Sequence, residues 1–247
     1  MTTTPIPTSG CSRFRLYMIA LVAATGGFLF GYDLSIISGA LIFLEKHFQL
    51  DSSGTGFAVS SAILGSIAGP LVGMWLNDAV GRRATLWVAA ACFLVSAIGT
   101  ALPRTFVDFC IWRAVGGIGV GLAAMTSPMY IAEIAPSHLR GRLVTVNQLA
   151  IVIGINMAVI VSYLLSFGGH WQWMFASNVV PIVVLIGGLF FVPNSPRWLA
   201  AKGRNDEALE VLESINGSEQ AARELADIRA ELGEESGTFS ELFMPGL

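Results

Sequence analysis

Long apolar stretches separated by short polar connections dominate the first 192 residues. Six can be marked, at 16–44, 57–76, 84–102, 106–131, 143–167 and 173–192. Each is close to the roughly 20 residues a helix needs to cross about 30 Å of hydrocarbon. The runs are continuous and rich in Leu, Ala and Gly, which predicts helices rather than barrel strands. The pattern changes after Val192, where Pro193-Asn194-Ser195-Pro196 ends the sixth run. Apolar residues then return at helical spacing over 206–215 (Ala208, Leu209, Leu212) and 219–232 (Leu225, Ile228). These segments predict two short amphipathic helices, separated at Gly217. The expected fold is an all-α integral membrane protein. It has a cytoplasmic N-terminus at 1–15, a six-transmembrane-helix bundle at 16–192 and a cytoplasmic segment with short amphipathic helices at 193–247.

Composition agrees with lipid as the solvent. Hydrophobic residues make up 54% of the chain and charged residues 13%. Eleven of the 17 acidic residues lie within 206–241, so the long apolar part is nearly free of acids. Sorting Lys and Arg by alternate sides of the spans puts 11 on one side: Arg13, Arg15, Arg82, Arg83, Arg140, Arg142, Arg197, Lys202, Arg204, Arg223 and Arg229. The other side has Lys46 and Arg104, and Arg113 falls inside a span. Positive charge concentrates on the cytoplasmic side, which predicts both termini there. Arg13 and Arg15 precede the first run as they would in a signal peptide. That run is too long for one, however, and has no small-residue cleavage site at its end.

Several classes of function are disfavoured. No basic arm suggests nucleic acid. Cys11, Cys92 and Cys110 form neither a disulfide framework nor a metal-spaced cluster. His47, His138 and His170 are scattered over loops, with no catalytic or phosphate-binding motif around them. The chain therefore reads as a non-enzyme without metal or organic cofactor. Asn216-Gly217-Ser218 matches a glycosylation acceptor, but on the cytoplasmic side the match is accidental.

The candidate chemistry lies inside the spans. Asp33 sits in Phe30-Gly31-Tyr32-Asp33, where an unpaired acid costs several kcal/mol. Arg113 poses the opposite problem in the fourth span. By residue count, Asp33 lies roughly 15 Å and Arg113 roughly 10 Å from the same membrane face, so the two are able to meet. A static pair would fix helix packing. A pair in which the acid exchanges the guanidinium for a proton would couple protonation to conformation. Gly117 and Gly121 follow Arg113 in steps of four, which favours close helix approach. Asn147, Gln148 and Asn156 place amides in the fifth span, either as packing hydrogen bonds or as ligands. The charged loops carry Asp78, Arg82 and Arg83, then Glu133, Arg140 and Arg142. They serve as orientation anchors or as a gate of ion pairs.

The loops also carry a resemblance. Asn77-Asp78-Ala79-Val80-Gly81-Arg82-Arg83 resembles the signature between the second and third spans of the major facilitator superfamily. The run P-M-Y-I-A-E-I-A-P-S-H-L-R-G-R, the later P-N-S-P-R-W-L, the first-span G-G-F-L-F-G-Y-D-L and R-A-V-G-G-I-G-V-G are similar to its sugar porter branch. The likeness implies a proton-coupled monosaccharide symporter, with the proton as coupling ion. In that reading Asp33 is the proton-carrying acid and Arg113 its partner. Phe30 and Gln148 contact the sugar, with Asn156 on the same helix as a further candidate. Asp78, Arg82, Arg83, Glu133, Arg140 and Arg197 form the cytoplasmic gate. The departures are Met74, Gln172 and Asn194 at positions where the pattern has Gly, Arg and Glu, and Ile155 where some members have a second Gln.

The family has twelve spans in two halves with substrate between them. This chain is therefore expected to supply one half, in a plasma membrane or a Gram-negative inner membrane, alongside a C-terminal six-helix half from the same product or another chain. The competing expectations are an uncoupled facilitator, a non-transporting fragment or partner subunit, and a self-paired homodimer.

Overall fold

The structure, a computed structural model, describes residues 10–234. The described residues form ten helices: α1 (Gly10–Phe48), α2 (Ser52–Val80), α3 (Arg82–Ala101), α4 (Phe106–Ile134), α5 (Arg140–Ser166), α6 (Trp171–Ala176), α7 (Val179–Leu189), α8 (Pro196–Ala201), α9 (Asn205–Asn216) and α10 (Ser218–Glu234). Six stretches are long and apolar enough to cross a membrane, the sixth running from Trp171 to Leu189 through both α6 and α7. The chain divides into two compact units. One comprises Tyr17–Pro193, and the other takes in the described residues outside it.

The helices begin and end where local chemistry allows. Asp51 caps α2 by accepting from the Gly54 N–H at 2.8 Å, and Thr105 caps α4 by accepting from the Asp108 N–H at 3.1 Å. A single residue, Gly81, joins α2 to α3. Its φ of 90° lies in the region that suits glycine and strains other residues. The sixth apolar run is not one continuous helix as the sequence pattern suggests. Pro181 has no N–H to give the Ser177 carbonyl, so that carbonyl accepts from Val180 at 3.2 Å and the turn tightens between α6 and α7.

The membrane-type unit is held by close contacts between small residues. Between hydrocarbon-solvated helices no hydrophobic force acts, so association relies on close packing and on interhelical hydrogen bonds. On α2, Gly65 lies against the Ala114 carbonyl and Gly117 of α4, and Gly69 lies against Gly121 and the Ile118 carbonyl. Helix α1 runs through the middle. Its Gly26 meets Ser127 and Ala123 of α4, its Gly27 and Gly31 meet Asn147 and Ile151 of α5, and its Val22 meets Gly188 of α7. At the C-terminal end of α1, Phe48, Phe109, Trp171 and Phe175 pack edge-on and tilted with centroids 5.4–6.4 Å apart. Large apolar side chains such as Leu64, Leu71, Ile160 and Val183 point outward, as a bundle immersed in lipid requires.

In the other unit, Trp198, Leu199 and Ala208 form a small core with Val211 and Leu225 against it. The two amphipathic helices extend over slightly longer ranges than the sequence pattern suggests. The short α8 before them was not anticipated, because six residues are too few to show a period. Arg204 reaches Glu207 at 2.6 Å and lies 5.8 Å above the Trp198 ring. Glu207 thereby raises the pKa of Arg204 from its ordinary value, but an exposed pair of this kind adds little stability. Ser195 is fully buried and caps α8 through the Trp198 N–H at 3.3 Å. Ser195→Ala is expected to cost about 1 kcal/mol. Faster hydrogen exchange at Trp198 and Leu199, with the spans unchanged, is the result that checks it.

Candidate functional site

Asp33 and Arg113 meet. Arg113 Nη1 donates to Asp33 Oδ2 at 3.0 Å, and Nη2 donates to the Asp33 backbone carbonyl at 3.3 Å. Their side chains are 4% and 1% exposed, so the pair is sealed from solvent. The guanidinium carbon also sits 5.7 Å above the Phe175 ring, a cation–π contact from α6. The second carboxylate oxygen, Oδ1, accepts from Asn178 Nδ2 at 2.9 Å. Three elements thus converge on one carboxylate: α1 supplies it, α4 supplies the charge, and the break between α6 and α7 supplies an amide. Next to it, Tyr32 and Ser177 hydroxyls share a hydrogen bond of 2.7 Å. On the α3 side, a side chain at Gly116 would collide with the Ser96 hydroxyl, with Asp33 Oδ2 3.9 Å from the same point. Glycine at 116 keeps that flank of the acid open.

Asn178 was missed in the sequence. An amide in an apolar stretch, three residues before a proline, was the available signal. What it lacked was any indication that its partner lies 145 positions away.

The expected sugar contacts are placed differently. Phe30 is half-buried, and Gln148 and Asn156 are exposed on this half. Asn156 donates to the Val152 carbonyl of its own helix at 2.8 Å. Helix register separates two flanks of the α1–α5 seam. On one flank a groove of about 610 Å³ is lined by Leu21, Phe28, Ile153, Met157, Val180 and Val184 among others, and it is almost wholly apolar. Phe30 and Gln148 project to the other flank, between α5 and α4, at 100° per residue from Gly27 and Asn147. The groove therefore holds none of the expected sugar contacts, and its polar groups are limited to the hydroxyls of Thr25, Tyr32 and Ser177. Asn147, the amide beside Gln148, is buried against Gly27 instead, with Oδ1 unpartnered among the described residues.

The charged loops form an ordered cluster. Arg82 binds Glu133 at 2.8 Å and Asp78 at 3.7 Å, and its Nη1 donates to the Asn77 carbonyl at the end of α2. Asn77 and Thr126 exchange hydrogen bonds of 3.0 and 3.3 Å. Arg83 takes another role, donating to the carbonyls of Leu189 and Phe190 at 3.1 and 3.4 Å. It caps the C-terminal end of α7, where a cation is favoured. Tyr130 secures the same segment by donating to the Pro193 carbonyl at 2.6 Å. Arg140 is exposed in the first turn of α5, with no ion pair among the described residues. Arg197 lies in the other unit and pairs with Glu231 of α10 at 2.9 Å.

The family model described as Sugar (and other) transporter matches residues 19–245. The chain is 42% identical to the glucose transport protein of Synechocystis sp., over 83% of this chain and 47% of that protein. It is 37% identical to the D-xylose-proton symporter of Escherichia coli K12, over 94% of this chain and 54% of that one. Among solved structures it superposes on the major facilitator superfamily proton:xylose symporter XylE bound to 6-bromo-6-deoxy-D-glucose. That match has a TM-score of 0.90 at 36% identity, covering 96% of this chain and 57% of the other. The chain spans about half the length of the curated relatives it matches. These relatives are transporters, not enzymes. The chain belongs to the sugar transporter family, in the sugar porter branch of the major facilitator superfamily, and corresponds to the N-terminal half of that fold.

Proposed function

We propose that this chain supplies the N-terminal half of a proton-coupled monosaccharide symporter. It works by alternating access in a plasma membrane or bacterial inner membrane, with both termini in the cytoplasm. The observation that carries the reading is the buried carboxylate of Asp33, held on one oxygen by Arg113 inside a span. Intramembrane charges are costly and mark ion pathways by default.

In the ionised state Asp33 and Arg113 neutralise each other. A proton that reaches Asp33 cancels its charge and with it the attraction between α1 and α4. Arg113 then keeps the Asp33 backbone carbonyl and the Phe175 face, so it remains solvated while the side-chain bond is released. A bundle whose helices touch through glycines has two close arrangements available without repacking large side chains. Sugar meets Phe30 and Gln148 from the flank opposite the apolar groove, with Asn156, exposed on the same helix as Gln148, as a further contact. The remaining sugar contacts come from a second six-helix half, on the same polypeptide or another chain. Asp78, Arg82 and Glu133 form the core of the cytoplasmic gate, with Arg83 fixing the end of α7. Arg140 is exposed and available to the other half, whereas Arg197 pairs with Glu231 within its own unit.

The relatives named for sugar–proton symport support this reading. An uncoupled facilitator and a silent half are the alternatives. The test is uptake of radiolabelled pentoses and hexoses into vesicles, with this chain alone and with a C-terminal half taken from a sugar porter. Uptake in the pair that collapses with an uncoupler is the expected result. Uptake insensitive to the uncoupler would make the protein a facilitator, and no uptake in either preparation would make it a silent partner.

A further inference from the structure

We propose that Asn178 is a two-state partner of the proton site: its amide donates to Asp33 when the acid is ionised, and it turns over to accept the acid's O–H when the acid is protonated. The proposal rests on the proton-coupling reading of Asp33 and assigns a residue which that reading does not need.

Three observations lead to it. Asn178 is 2% exposed and donates through Nδ2 to Asp33 Oδ1 at 2.9 Å. Its own carbonyl oxygen, Oδ1, is buried with no hydrogen-bond partner among the described residues. Buried acceptors are nearly always satisfied, so an orphan beside a protonatable group needs an explanation. The third observation is the division of the carboxylate. Oδ2 faces Arg113, which has five N–H donors and no acceptor, whereas Oδ1 faces Asn178. A neutral carboxylic acid carries one O–H donor, and that proton finds no acceptor on the Arg113 side. It belongs on Oδ1.

The step is balanced. A proton adds to Oδ1 of the carboxylate, forming an O–H bond and cancelling one negative charge. The terminal torsion of Asn is soft and roughly two-fold, so a half-turn exchanges Nδ2 and Oδ1 at nearly the same positions. After the turn, Oδ1 accepts from the new O–H. The amide makes one hydrogen bond to the acid in each charge state and carries no charge in either.

The tight turn is what presents the amide. Asn178 lies between α6 and α7, where Pro181 interrupts the regular ladder, and the neighbouring Ser177 is tied to Tyr32. The other groups around the acid are few. Helix α4 presents Arg113 and, one turn earlier, Cys110. Helix α3 presents Ser96 at Gly116 and Cys92 at Gly119, and α1 itself contributes Tyr32. Neither α6 nor α7 carries a titratable residue, and α5 meets α1 through Asn147, Ile151, Gly154 and Ser162. Among the described residues that hydrogen-bond Asp33 through a side chain, Asn178 is thus the one that both donates and accepts.

The test is infrared difference spectroscopy of the purified chain in lipid, stepped between acid and alkaline pH. A protonated carboxyl gives its own C=O stretch, assigned to Asp33 by its loss in Asp33→Asn. Asn178→Leu keeps the approximate volume and removes both hydrogen-bonding roles, and Asn178→Ala serves if leucine does not fit. In either variant the band is expected to move in frequency, because the acid O–H has lost its acceptor. A merely structural Asn178 would leave the frequency of the protonated band unmoved, and that result overturns the proposal while leaving Asp33 as the proton site. No titrating band in the unmodified chain would overturn the coupling reading and this proposal together.

Discussion

In the proposed symporter, Asp33→Asn is expected to remove proton-driven accumulation of sugar and to leave sugar exchange in place. The asparagine is nearly isosteric and still offers Arg113 a carbonyl oxygen at the position where Oδ2 accepts at 3.0 Å. It cannot bind or release a proton near neutral pH, so the proposed cycle would lose its coupling ion and keep its moving parts. One proton moving down a potential of 100 mV supplies about 2.3 kcal/mol, enough for a roughly 50-fold concentration ratio. The variant is expected to bring that ratio to about one. Counterflow of labelled against unlabelled sugar, which needs no net proton movement, separates a coupling defect from a folding defect. Accumulation that survives the substitution would show that the pair only fixes packing. Arg113 is the less informative residue to change. Its loss leaves a buried carboxylate uncompensated, at a cost of about 3–5 kcal/mol, and stability and coupling then fail together.

Gly117→Val is expected to disrupt the membrane unit more than any substitution of an outward-facing residue. A side chain at Gly117 would fall on the Ala62 carbonyl oxygen of α2, with the Gly65 α-carbon 3.0 Å away. Both obstacles are backbone, so no rotamer change relieves the collision and the two helices must separate. Separation also loosens Gly69 from Gly121 one turn along. Overpacking in a rigid core typically costs about 1–3 kcal/mol, and here a backbone-to-backbone contact is lost as well, so a loss of at least about 3 kcal/mol is expected. Thermal melting and gel-filtration profile in detergent read the effect. Gly187→Ala is the matched control, because a side chain there meets nothing within 4 Å. Equal behaviour of the two variants would mean that the glycine contact is not what holds α2 against α4.

The six spans were legible because lipid imposes a simple rule. Backbone groups must be satisfied within the helix, and the helix must be long and apolar, so span number follows from run length alone. Asp33 and Arg113 were legible for the same reason, since a charge in such a run needs an explanation. Their pairing was inferred from depth, which is one-dimensional and suffices when only two charges are in play. Local chemistry also predicted the amphipathic character of α9 and α10.

Other features depended on which helix lies beside which. Arg83 belongs with Asp78 and Glu133 in sequence, yet it caps α7 through Leu189 and Phe190, more than 100 positions away. Gly65 and Gly69 of α2 look like any membrane-helix glycines until Gly117 and Gly121 are placed opposite them. Gln148 and Asn147 are adjacent and chemically equal in the chain, and helix rotation alone exposes one and buries the other. Asn178 became a partner of Asp33 through a turn forced by Pro181 and a carboxylate on α1. The sequence by itself determined what had to be true of each helix in hydrocarbon: its length, its apolarity and the cost of its charges. Only the tertiary structure decided how those costs are met. Hydrogen bonds and close packing act over about 3–4 Å between residues far apart in the chain, and that proximity exists only once the helices are assembled.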